Sequence, residues 1–140
     1  MAHETHLDIV SAEKQIYSGQ ATMVVATGEM GEIGIVPGHA PLLSVLKPGE
    51  VRMTKQDGSE EIFYVSGGMI EVQPYQVTIL ADVVVRAEEL SEEAAMAAKA
   101  KAEELLSKHQ SDIDYSAATA ELAHAIAQIR AIQKLRHKHH

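Results

Sequence analysis

Two hydrophobic periods divide this chain. Up to about residue 86, apolar and polar positions alternate in short runs. Leu7-Asp8-Ile9 opens a strand, and Ala21-Thr22-Met23-Val24-Val25-Ala26-Thr27 is a longer run of β-formers. Glu50-Val51-Arg52-Met53-Thr54-Lys55 alternates strictly, with Val51 and Met53 on one face. Asp57-Gly58 follows, a hairpin signal between such runs, and Glu60-Glu61-Ile62-Phe63-Tyr64-Val65 reads as the returning strand. Gly67-Gly68 breaks the pattern. Met69-Ile70-Glu71-Val72, a turn at Pro74, and Gln76-Val77-Thr78-Ile79-Leu80 continue a meander that ends at Val83-Val84-Val85. Nine or ten short strands with frequent turns predict a β-sandwich or flattened barrel.

From about Ala87 the period lengthens to 3.6 residues. Ser91 is placed to cap a helix whose first turn carries Glu92 and Glu93, favourable against the helix dipole. Leu90, Ala94, Ala98, Ala102 and Leu105 form the predicted apolar stripe. After a polar break over residues 107–111, Asp112 or Asp114 caps a second helix with Tyr115, Leu122, Ile126, Ile129, Ile132 and Leu135 along one side. A short connection between amphipathic helices predicts an antiparallel hairpin. The chain therefore divides into a sandwich at 1–86 and a helical hairpin at 87–140. Alanine contributes little burial, so the hairpin is expected to be marginal alone and to depend on docking.

Composition narrows the function. The net charge of −8 argues against a nucleic-acid binder, and no apolar run reaches the roughly 20 residues of a membrane-spanning helix. The N-terminus shows no signal-peptide pattern, and zero cysteines excludes disulfides and thiolate chemistry. Beyond Glu121 the acids vanish, leaving Arg130, Lys134, Arg136 and Lys138, so one end of an acidic protein is basic and suits an acidic partner. Arg130, Lys134 and Lys138 recur every four residues and share one stripe.

Candidate chemistry is thin. His3 and His6 are three apart at the terminus, which is not the His-Glu-x-x-His zinc pattern, and His137, His139 and His140 form a terminal cluster. Gly28, Gly31 and Gly34 match no phosphate-binding loop, and Ser66-Gly67-Gly68 reads as a structural turn. No catalytic residue, metal site or cofactor is indicated. The stretch Gly31-Glu32-Ile33-Gly34-Ile35-Val36-Pro37-Gly38-His39-Ala40-Pro41-Leu42-Leu43 stands out instead. Its glycines and prolines fix a stiff loop between strands, and His39 reads equally as a structural hydrogen-bonding group or a partner contact.

That loop carries a resemblance, together with Leu7-Asp8-Ile9-Val10-Ser11-Ala12-Glu13, Val65-Ser66-Gly67-Gly68, Glu71-Val72-Gln73-Pro74, Leu80-Ala81-Asp82, Asp112-Ile113-Asp114-Tyr115 and Ala125-Ile126-Ala127-Gln128-Ile129-Arg130. In this order they resemble the ε subunit of bacterial F-type ATP synthases over essentially the whole chain. The resemblance implies a ten-stranded β-sandwich followed by a two-helix hairpin, a mainly-β α+β fold. It implies a non-catalytic central-stalk subunit without cofactor, peripheral on the cytoplasmic face of the bacterial inner membrane. The sandwich would bind the γ subunit and the c-subunit ring through Glu32, Ile33, Ile35, His39 and Leu42. The hairpin would reach the α and β subunits of the catalytic head and inhibit ATP hydrolysis through Leu122, Ile126, Ile129, Arg130, Lys134 and Lys138.

Some family members bind ATP through an Ile/Leu-Asp-x-x-Arg-Ala motif; here the stretch is Leu90-Ser91-Glu92-Glu93-Ala94-Ala95, without the arginine, so binding is expected to be very weak or absent. The competing readings are a free-standing sandwich recognition module and a hydrolase. The first lacks exposed aromatic clusters and the second lacks nucleophile and metal signatures.

Overall fold

The computed structural model describes residues 4–108 and 112–138. Nine strands come first: β1 (Thr5–Ser11), β2 (Gln15–Ala21), β3 (Met23–Gly28), β4 (Gly31–Ile35), β5 (Leu42–Thr54), β6 (Glu60–Val65), β7 (Gly68–Gln73), β8 (Gln76–Ala81) and β9 (Val84–Arg86). A 3-10 turn (Ala87–Glu89) then leads to α1 (Glu92–Lys108) and α2 (Asp112–Lys138). His3, His139 and His140 lie outside the described residues, as do the side chains of Asp112, Asp114, His137 and Lys138.

The count is one below the ten strands expected, and β5 is the reason. It runs 13 residues and serves both layers. Its first half, Leu42 to Leu46, pairs with β7; its second half, Gly49 to Thr54, pairs with β6. One layer is therefore β2-β1-β8-β7 plus the start of β5, and the other is β4-β3, the end of β5, β6 and β9. All pairings are antiparallel except β1 with β8.

Between the layers, the inward positions close one core. Leu7, Ile9, Val24, Ala26, Ile35, Val51, Met53, Phe63, Ile70, Val72, Val77 and Ile79 are fully buried there. Val51 and Met53 share the inward face, as strict alternation requires. The Asp-Gly hairpin forms as expected, with the Ser59 N–H donating to Asp57 Oδ1 at 2.9 Å. At the other break, Gly68 has φ 141° and a Cβ there would sit 1.9 Å from the Leu80 carbonyl oxygen, so no side chain fits.

The helices also depart from their expected stripes. Ser91 caps α1, its Oγ accepting from the Ala94 N–H at 3.1 Å. The buried face of α1, however, runs through Ala95 and Ala102, with Leu106 half-buried, while Ala94 and Leu105 are exposed. Ala102 belongs to both and Ala98 is half-buried, so the buried face is offset from the predicted stripe by less than one residue. Leu90 precedes α1 and packs on the sandwich side. Tyr115, expected on the apolar side of α2, is 46% exposed.

Two faces of α2 are covered instead of one. Ala118, Leu122, Ala125, Ile129 and Ile132 repeat at spacings of three and four, the seam expected against α1. Ala127 and Ala131, with Leu135, pack on Ile62, Tyr64, Val85 and Ala87 of the sandwich. The hairpin is thus docked through α2 on the outer faces of β5 and β6.

Candidate partner-binding surfaces

Three surfaces offer themselves, beginning with the loop that the sequence singles out. Glu32 stands on β4 at the outer face, its side chain 57% exposed, and pairs with Arg52 at 3.4 Å. Ile33, one residue on, is half-buried and packs against the core. Ile35 faces Val24 across the β3–β4 ladder and is 0% exposed. A fully buried side chain cannot touch a partner, so Ile35 anchors the loop and leaves the contact set. This correction follows from strand alternation, which sends Ile33 and Ile35 to the same inward side.

Beyond β4 the loop is stiff because its backbone is tied at both ends. The Gly38 N–H, at φ 89°, donates to the Pro74 carbonyl at 2.6 Å, and the His39 N–H donates to the Val36 carbonyl at 3.1 Å. His39 Nδ1 donates to the Ala40 carbonyl at 2.7 Å, which orients the half-buried ring and leaves Nε2 as its second polar atom. Exposed Val36, Leu42 and Tyr75 share this end of the sandwich with His39. The structure brings His39 and Leu42 together here, and sets Glu32 on the outer face of the other layer.

A second surface was missed by the sequence reading. On the outer face of the first layer Val10 is registered with Leu80, Leu80 with Met69, and Met69 with Val45. These four form an apolar row across four strands. Leu80 is 52% exposed, Val45 is exposed, and Leu43 lies two positions along β5 on the same face. The backbone N–H of Glu29 donates to the Val45 carbonyl at 3.1 Å, which brings the β3–β4 turn and fully exposed Met30 to the end of the row. A contiguous apolar patch of this kind marks a protein interface. Outward apolar residues were visible in the alternation, but only the register shows that they are neighbours.

Beside this row lies a polar network. His6 Nε2 contacts Asp8 Oδ1 at 3.0 Å and Ser18 Oγ at 2.9 Å, and Gln76 donates to Asp8 Oδ2 at 3.0 Å. Burial alone would raise the Asp8 pKa, but hydrogen bonds with Ser18, Gln76 and His6 outweigh it and hold the carboxyl below its usual range. The Asp8 and Ser18 contacts both use Nε2, while Nδ1 accepts from the Gln20 side-chain amide at 3.1 Å, so the imidazole cannot pass a proton between Ser18 and Asp8. Ser66, in the glycine turn, accepts the Val83 N–H at 3.0 Å, a structural bond.

The hairpin is the third surface. In its docked state Leu122 and Ile129 are half-buried in the seam with α1. Ile126 lies half-buried at the solvent edge, and Arg130 and Lys134 are exposed on the same outer side. Arg136 is held by Glu92, its Nη1 donating to Oε1 at 3.2 Å and its Nη2 to Oε2, which closes the end of the hairpin. The Glu92 position in the altered ATP motif is thus engaged in an ion pair. Lys138 continues the α2 backbone, its side chain outside the described residues.

These surfaces belong to a β-sandwich with a two-helix hairpin folded on its flank. Residues 4–87 match the β-sandwich domain of the ATP synthase delta/epsilon chain, and residues 88–133 match its long alpha-helix domain. The chain is 68% identical over 138 residues to the ATP synthase epsilon chain of Legionella pneumophila (strain Corby), covering 99% of both. It is 55% identical to that of Nitrosococcus oceani, again over 99% of both. Among solved structures, a chain of the Euglena gracilis mitochondrial ATP synthase shares the fold at TM-score 0.75 and 19% identity, over 100% of this chain and 84% of its own. A chain of the Tetrahymena thermophila complex aligns at TM-score 0.63 and 14% identity, over 91% of this chain and 96% of its own. The chain belongs to the ATP synthase epsilon-chain family, a non-catalytic subunit of that complex. No helix among the described residues is long and apolar enough to cross a membrane.

Proposed function

We propose that this subunit works in the rotor's central stalk on the cytoplasmic face of a bacterial inner membrane. Its sandwich joins the γ subunit to the c-subunit ring, and its hairpin restrains ATP hydrolysis by the catalytic head. The apolar row Val10, Leu80, Met69 and Val45 offers γ an apolar contact. Glu32, Ile33, His39 and Leu42 meet the c ring and the adjoining part of γ, where a rim charge fixes orientation.

The observation that carries the regulatory reading is the state of α2. It docks on the sandwich through a small face of Ala127, Ala131 and Leu135, while Arg130 and Lys134 point away. A helix held by so little apolar surface can leave. Its basic stripe then meets acidic segments of the catalytic β subunits, and Leu122, Ile126 and Ile129 become free to grip the head.

The test is ATP hydrolysis by the reconstituted catalytic head with three proteins. Truncation before Ala117 relieves inhibition, and replacing Arg130, Lys134 and Lys138 by alanine relieves it in part, more so at low salt. Equal rates with all three would defeat the inhibitory role.

A further inference from the structure

Where α2 crosses β5 and β6, the apolar docking face contains a polar pair, Tyr64 buried and His124 half-buried. Tyr64 is 2% exposed and projects outward from β6, directly opposite Glu50 of β5, itself only 7% exposed. Tyr64 Oη meets Nδ1 of His124 on α2 at 2.5 Å, and the two rings stand edge to face with centroids 6.3 Å apart. Gln128, one helical turn along, supplies a hydrogen bond to the same phenol. Around this pair the contacts are small: Ala127, Ala131 and Ala87, with Ile62 and Leu135 beside them.

The consequences differ for the two kinds of contact. Alanine methyls bury little area and tolerate sliding or separation. The buried Tyr64 hydroxyl, bonded to His124 and Gln128 on α2, tolerates neither, because once separated from them it has lost water without a replacement. The orientation-dependent part of docking therefore resides in this pair. We propose that the Tyr64–His124 hydrogen bond is the latch that holds the hairpin on the sandwich, and so sets the supply of the inhibitory helix. The inference rests on the reading of the hairpin as a detachable inhibitor, but its first test does not.

The experiment uses the full-length protein and follows hydrogen exchange of α1 and α2 amides under native conditions. Exchange in β1 and β8, within the sandwich core, serves as the folding control. Tyr64→Phe takes the shared hydroxyl away from His124 and Gln128, and His124→Leu leaves the phenol with Gln128 alone. Each is expected to raise hairpin opening about 5- to 100-fold with β1 and β8 unchanged. The double variant Tyr64→Phe/His124→Leu loses that same bond only once, so its opening is expected to be no greater than in the single variants. That non-additivity separates a latch from a general loss of packing, which would make the double variant worse than either single one. His124→Leu lies on the helix, so it keeps the test decisive even where Tyr64→Phe disturbs the sandwich. Unchanged exchange in His124→Leu, or additive loss in the double variant, would overturn the latch. In the reconstituted head, each single variant should inhibit ATP hydrolysis more strongly than the parent. A shift in exchange without a shift in hydrolysis would keep the latch and remove the inhibitory role.

Discussion

Reversing the charge of Glu32 separates a surface role from a structural one. Its carboxylate pairs with Arg52 at 3.4 Å, with side-chain exposures of 57% and 26%. An ion pair this wet contributes about 0–1 kcal/mol. Glu32→Lys removes that and places two cations together, adding about 1 kcal/mol of repulsion at a water-like dielectric. The isolated subunit should therefore lose no more than about 2 kcal/mol. For a domain of this size that lowers Tm by roughly 4–16 °C, with an unchanged denaturant slope. Glu32→Gln, which loses only the pair, should fall by half of that or less. Against this small structural effect, proton-driven ATP synthesis in membranes carrying Glu32→Lys should drop clearly if the proposed rotor contact holds, because it would turn the reversed charge toward the c ring. Wild-type synthesis rates in Glu32→Lys membranes would refute the assignment of Glu32 to the rotor contact. Loss of the cooperative unfolding transition would refute the structural part, since it would mean that the Glu32–Arg52 pair holds the sandwich together.

Ile35 should behave in the opposite way. Ile35→Ala opens a cavity in a fully buried site and is expected to cost about 2–5 kcal/mol in urea unfolding of the isolated subunit; a loss below about 0.5 kcal/mol would return it to the surface set. The phenol of Tyr64, buried under α2, has its pKa raised from 10.0 to about 12, so the folded state retains a proton that the unfolded chain has released. Stability from this group is thus level below pH 10 and falls as pH rises from 10 toward 12, and helix exchange with tyrosinate absorbance should show α2 loosening in that window but not in Tyr64→Phe. Calorimetry with ATP should show no tight, saturable binding to the isolated subunit, because Ala94 stands where the family motif has arginine and Glu92 and Glu93 repel phosphate.

Much of the architecture was legible in local pattern. Alternation at residues 50–54 puts Val51 and Met53 on one face, Asp57-Gly58 marks its hairpin, and Ser91 marks the start of α1, because each signal acts within a few residues. The change of period near residue 87 separated sandwich from helices, and the motifs along the whole chain pointed to the right family. What local pattern could not reveal depends on contacts far apart in sequence. One strand, β5, serves both layers because β7 and β6 compete for its two halves. The row Val10, Leu80, Met69 and Val45 exists only through the register of four strands. Ile35 was grouped with its loop neighbours, yet the ladder with β3 turns it into the core. Most telling is α2, read as one-sided from its large residues. Alanines on a second side are buried because the sandwich comes close there, and small residues are what allow that approach. The same closeness brings Tyr64 to His124, 60 residues away along the chain. Periodicity can say that a helix has an apolar side, but which surface approaches it, and which polar groups must then pair, is settled only when the chain has folded.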